Sequence, residues 1–136
     1  MAVVINGLFG HRYSHDLAHR FAWGSVLMSF LCVLAVFTET LRTGAAREVI
    51  AYKWIFGGDL TINLAYLIDP LTCIMLLVIT GVGFLIHVYS VGYMHGEAGF
   101  TRFFVYMNLF MVSMLLLVMG NNYVVLFIGW EGVGLC

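Results

Sequence analysis

Three stretches free of Asp, Glu, Lys and Arg dominate the chain: residues 21–38, 70–96 and 103–130. Each is mostly apolar. About 18 or more such residues are enough for a helix to cross a hydrocarbon core roughly 30 Å thick. In lipid every backbone polar group must be satisfied internally, which leaves helices and closed barrels as spanning structures. These runs are continuous rather than alternating, so they predict helices. Composition supports the same reading. The chain is 62% hydrophobic and 10% charged, with a mean hydropathy of +1.01. A soluble domain carries about 25% charged residues. A soluble enzyme and a disordered tail are excluded on those numbers. The net charge of −1 offers no basic footprint, so nucleic acid is excluded as a partner. The fold class is all-α, a polytopic transmembrane helix bundle.

Turn residues divide the chain further. Gly120-Asn121-Asn122 interrupts the third run, because Gly and Asn favour helix ends and tight turns. The expected spans are therefore 21–41, 70–94 and 103–120, with another helix over 122–136. The connection at 120–122 is so short that the helices flanking it are antiparallel neighbours. The last helix reaches roughly 22 Å and the apolar stretch at 1–10 roughly 15 Å, both short of a full crossing. Three complete spans with partial first and last helices read as one incomplete membrane domain, a fragment of a larger protein. Asp69 is placed to cap the second complete span and Pro70 suits its first position. Residues 49–68 differ in texture. Two aromatic and β-branched runs flank Gly57-Gly58-Asp59, which predicts a short β-hairpin outside the bilayer between the first two complete spans. Charge does not set orientation: Arg12, Arg20 and Arg102 on one side balance Arg42, Arg47 and Lys53 on the other.

Few residues in the spans carry chemistry. Glu131 is a carboxylate inside an apolar run, about nine residues or 13 Å beyond Asn122 and so near mid-membrane. An ionised side chain there costs a few kcal/mol unless it is paired, hydrated or protonated. Burial raises a carboxylate pKa and a nearby cation lowers it. A glutamate balanced between the two can load and release a proton, the basis of a relay. The plain alternative is a carboxylate that reaches headgroup water at a helix end. Phe127, Ile128, Gly134 and Leu135 share its helix face, and none is cationic, so any partner comes from another helix. Gly129, Gly132 and Gly134 allow close helix approach. His87 lies inside the second complete span, either as a structural hydrogen bonder or as a relay with an ordinary pKa near 6.5. His11, His15 and His19 recur at a spacing that could stack three imidazoles on one helix face, but Arg12, Asp16 and Arg20 among them favour an ordinary wet loop over a metal site. Cys32, Cys73 and Cys136 form no CxxC pair and read as small buried hydrophobes, neither disulfide nor metal ligands. Tyr89, Tyr93, Tyr106 and Tyr123 fall near predicted span ends, where aromatic belts form.

Several of these strings form a recognisable set. Residues 86–94 (IHVYSVGYM), Arg102-Phe103-Phe104, Asn108-Leu109-Phe110, residues 113–117 (SMLLL) and residues 129–136 (GWEGVGLC) closely resemble subunit L of proton-translocating NADH:quinone oxidoreductase, which is subunit 5 of mitochondrial complex I. The helix start Leu67-Ile68-Asp69-Pro70-Leu71 fits too. The likeness runs over roughly residues 5–136 and is most specific at 129–136. It implies a place in coupling quinone reduction to proton pumping, as part of a multisubunit translocase. In that family the glutamate of the last motif is a protonatable residue of an antiporter-like half-channel, and it maps onto Glu131. Its lysine partners lie on later helices, absent from these residues. NADH, FMN, iron–sulfur clusters and quinone are expected in partner subunits, leaving this chain without a redox site and inactive alone. The implied partners are other membrane-arm subunits, the missing C-terminal helices and the lipid bilayer. The implied location is the bacterial or mitochondrial inner membrane, with Arg12, Arg20 and Arg102 on the cytoplasmic or matrix side. Two other readings stand beside it: a subunit of a multisubunit cation/proton antiporter, which shares the Trp-Glu pair, and a structural membrane fragment without transport.

Overall fold

A computed structural model of the chain describes residues 15–57, 60–97 and 99–136. The expected first-helix tail at 1–10, the His11 end of the histidine series and the Gly58-Asp59 turn lie outside the described residues. The elements are α1 (His15–Thr43), β1 (Arg47–Gly57), β2 (Leu60–Ile68), α2 (Pro70–Tyr93), α3 (Phe100–Met119) and α4 (Tyr123–Leu135). The first three helices are long and apolar enough to cross a membrane. At 1.5 Å per residue, the 24 residues of α2 measure about 36 Å and the 20 of α3 about 30 Å. Helix α1 begins before the charge-free run and reaches 29 residues: the stretch from His15 to Arg20, expected from its charges to be a wet loop, is helical, and it holds no Gly or Pro to break the helix. The chain is thus a multi-pass membrane protein with a short hairpin.

The helix starts follow from local chemistry. The Asp69 carboxylate accepts the Thr72 N–H at 2.6 Å and Pro70 occupies the first turn. That bond holds the Asp69 carboxyl below the usual carboxylate range. Helix α1 stops where Gly44 turns to a φ of 63° and its N–H reaches Thr40 O at 2.8 Å.

Helices α1, α2 and α3 pack against one another, and α4 packs on α3. The pattern is the reverse of a soluble bundle. The buried line of α2 is Thr72, Cys73, Leu76, Thr80, Gly83, His87 and Ser90, much of it polar or small. Its outward residues are large and apolar, such as Leu85 at 66% exposure. That arrangement suits a bundle whose outer surface meets lipid or further helices, where small residues permit close contact. Gly83 shows how close: a Cβ there would stand 2.5 Å from Met111 Sδ on α3. The same inversion corrects the cysteine expectation. Cys73 is buried, beside Thr40, but Cys32 and Cys136 are exposed, because outward positions on these helices are themselves apolar.

The hairpin is antiparallel, from Arg47↔Ile68 to Gly57↔Leu60. Strand β1 has 11 residues against 9 in β2, and irregularities between Ile50 and Tyr52 and between Lys53 and Ile55 absorb the difference. It does not float. Asn121 N–H donates to Ala65 O at 3.1 Å, Asn122 Nδ2 to Asn63 O at 2.6 Å, and Tyr66 bridges to Gly120. The strand pair is therefore stitched to the α3–α4 turn, at the end of the bundle where α1 ends and α2 begins.

Candidate functional site

Helix α4 presents the acidic residue, and its start is fixed with unusual redundancy. Asn122 caps it by accepting the Val125 N–H at 3.0 Å, while the same amide donates to the hairpin at Asn63 O. One side chain thereby sets both the helix N-terminus and its distance from β2. Glycines then set how near α4 lies to α3. A Cβ on Gly129 would stand 2.6 Å from Leu117 N and 2.7 Å from Leu117 Cα. A Cβ on Gly132 would stand 2.5 Å from Ser113 Oγ. Gly134 has nothing within 4 Å. Of the three glycines read as contact points, two meet α3 and the third faces open space.

Val125, Gly129 and Gly132 define the α3-facing line. Glu131 lies two residues past Gly129, about 200° around a helix that turns 100° per residue. The structure places its side chain on the exposed side of α4. Around it stand Phe127 at 59%, Ile128 and Leu135, all exposed and all apolar. Among the described residues the ion pair present is Arg47–Glu39, and no cation reaches Glu131. Local geometry therefore offers a lone carboxylate on an apolar helix face, about 13 Å of helix rise below the cap.

His87 is in a different setting. Its ring is fully buried, with Nδ1 at 2.7 Å from Gly83 O and the plane tilted against Phe104 at 6.2 Å between centroids. Among the described residues Nε2 has no hydrogen-bond partner. The structure does not bring His87 and Glu131 together: α2 and α4 both contact α3 but not each other. No group of three His, Cys, Asp or Glu side chains converges among the described residues. The side chains of His15 and residues before it are outside the description.

A polar contact that the sequence reading missed joins α1 to α3. Ser25 Oγ lies 2.8 Å from Ala22 O and 3.1 Å from Asn108 Oδ1, and Asn108 Nδ2 donates to Phe104 O at 2.9 Å. Asn108 is buried at 4% exposure. The available signal was an amide inside an apolar run, which must find partners wherever it is buried. Tyr89, Tyr93 and Tyr123 are strongly exposed near helix ends; Tyr106 lies further along α3 than a belt position requires.

Comparison with known proteins follows the same outline. Residues 54–104 match the family model for the N-terminus of complex I NADH-ubiquinone oxidoreductase chain 5. That match spans β1 to the first turn of α3, taking in His87 but not Glu131. Over 126 residues the chain is 51% identical to NADH-quinone oxidoreductase subunit L of Escherichia coli (strain K12), covering 92% of this chain and 21% of that protein. Over 128 residues it is 44% identical to the subunit L of Pseudomonas aeruginosa, with the same coverage of 92% and 21%. It is 36% identical over 136 residues to NADH-ubiquinone oxidoreductase chain 5 of Metridium senile, covering all of this chain and 23% of that one. The chain thus spans about a fifth of the length of the curated relatives it matches. Among solved structures, a chain of the Mrp complex from Dietzia sp. superposes with a TM-score of 0.73 and 25% identity, over 99% of this chain and 14% of that one.

Proposed function

Because the chain belongs to the complex I subunit L (chain 5) family, matching its N-terminal part, we propose that it serves in the membrane arm of an NADH:quinone oxidoreductase, in proton translocation coupled to quinone reduction. The observation that carries this reading is sequence identity of 36–51% to subunits L and chain 5 across nearly the whole chain. Glu131 is the proposed protonatable relay. Its support is geometric: a single carboxylate held at depth by a doubly anchored Asn122, on a face of α4 turned away from α3. A helix carrying a cation, docked on that face, would supply the charge that this part of the bundle lacks. His87 is the secondary candidate, buried in the α1–α2–α3 unit.

Flavin, iron–sulfur and quinone chemistry belongs, in this proposal, to partner subunits. The chain by itself would then be inactive. The proposed partners are other membrane-arm subunits, later helices of the same subunit and the surrounding lipid. The proposed location is a bacterial or mitochondrial inner membrane.

The likeness to the Mrp complex favours a second reading, a subunit of a multisubunit cation/proton antiporter. At 25% identity it is the weaker likeness. Affinity purification from the native membrane in mild detergent, with a tag on the subunit, separates the two. Co-purifying NADH:quinone reductase activity supports the first. A tagged assembly without that activity, but active in cation/proton exchange when reconstituted, overturns it.

A further inference from the structure

The buried ring of His87 has a definite proton arrangement. Nδ1 lies 2.7 Å from the Gly83 carbonyl oxygen, one turn earlier on α2. A carbonyl only accepts, so Nδ1 carries the hydrogen. In the neutral ring Nε2 is then a bare lone pair. It is fully buried and unpartnered among the described residues. A buried acceptor left unmade costs about 1–3 kcal/mol, and buried polar groups in folded proteins find partners with few exceptions. Nε2 therefore calls for a hydrogen-bond donor.

The surroundings narrow what that donor is. Along the antiparallel α2–α3 pair, Gly83 meets Met111 and the His87 ring meets Phe104. The buried residue of α3 between those two levels is Asn108, which Ser25 of α1 joins at 3.1 Å. Polar side chains of α1 and α3 thus stand within about one helical turn of the level at which His87 meets Phe104. The described core offers no Lys, Arg, Asp or Glu there. Buried waters make two to four hydrogen bonds, typically to buried polar groups that protein atoms leave unsatisfied.

We propose that His87 Nε2 is the acceptor of an internal water at the Ser25–Asn108 level of the α1–α2–α3 unit, with Nδ1–H fixed on Gly83 O. His87 then exchanges protons through Nε2 alone. Protonation there takes a proton from the water side and leaves the helix contact intact. This inference stands independently of the role given to Glu131.

The test is nitrogen-15 NMR on the full chain, labelled at histidine and reconstituted in phosphatidylcholine bilayers. The His87 signals are assigned by sequential correlation to Val88 and by their loss in His87→Asn, whose amide can keep the bond to Gly83 O. The expected result is a protonated Nδ1, an unprotonated Nε2, and magnetisation transfer from water protons to Nε2 that disappears in D2O. A ring protonated at Nε2 and bare at Nδ1 overturns the proposal. So does a bare Nε2 that receives transfer only from protein protons, or none.

Discussion

If α4 is positioned by direct backbone contact with α3, then adding one methyl group at Gly129 separates the two helices. The new Cβ would stand 2.6, 2.7 and 2.8 Å from Leu117 N, Cα and Cβ. Optimal carbon contacts lie near 3.5–4.0 Å, so relief requires the helices to part by roughly 1 Å. Two of the three atoms are backbone and cannot rotate away. Overpacking of this sort costs about 1–3 kcal/mol. Replacing Gly by Ala in a helix returns close to 1 kcal/mol of backbone propensity. The net expectation for Gly129→Ala is a loss of up to about 2 kcal/mol. Gly134→Ala is the matched control, because it sits on the same helix with nothing within 4 Å. It keeps the propensity gain and should be neutral or more stable. Equilibrium unfolding of the chain in detergent micelles, followed by circular dichroism, reads the difference. The two variants should differ by about 2 kcal/mol, with Gly129→Ala the weaker. Equal stabilities would refute the claim that Gly129 sets the α3–α4 distance.

Further outcomes follow from single contacts. Gly132→Ala brings a Cβ to 2.5 Å from Ser113 Oγ but 3.0 Å from Ser113 Cβ, so Ser113→Ala should recover part of its loss. A double-mutant cycle showing strict additivity would contradict that. Asn122→Ala removes both the cap to Val125 N and the bond to Asn63 O and should cost about 1–2 kcal/mol, against a few tenths for Asn121→Ala, whose side-chain bond to Glu48 is exposed. Thermal unfolding of the two variants side by side distinguishes them. Asp69 titrates below its ordinary value because it accepts the Thr72 N–H. A lowered folded pKa means that its contribution is present above the unfolded pKa, about 3.9, and is lost as pH falls through the lower folded one. Stability of the chain should lose this contribution only below about pH 4, and Asp69→Asn, which keeps an accepting oxygen, should flatten that part of the acid profile. An unchanged acid profile in Asp69→Asn would count against the assignment.

Much of the fold could be read from residue order because the governing signals were local. Asp69-Pro70 marks a helix start by capping and fixed φ. The alternation in Leu60 to Leu64 opposite the aromatic run of β1 marks a hairpin. Gly120-Asn121-Asn122 marks a break. What escaped were matters of three-dimensional partnership. The same Asn pair also ties the turn to β2, which no local rule requires. Helix α1 starts earlier than its apolar run because hydropathy reports the membrane, not the helix. The outward Cys32 and Cys136 followed from the inverted polarity of a membrane bundle, where an apolar position need not be an inner one. Position on α4 gave the helix face that Glu131 shares with Phe127, Ile128 and Leu135. For His87 the sequence offered a buried hydrogen bonder and a relay as alternatives, while the one-sided partnership of its ring needed coordinates.

The central claim is that Glu131 carries protons. The direct measurement is proton translocation by inverted membrane vesicles or proteoliposomes containing the complete assembly with Glu131→Gln. Glutamine keeps the size and polarity of the side chain but holds no exchangeable acid proton. The account predicts an assembled complex whose proton translocation falls sharply for each NADH oxidised. An assembled variant that translocates protons as the unaltered complex does would contradict it.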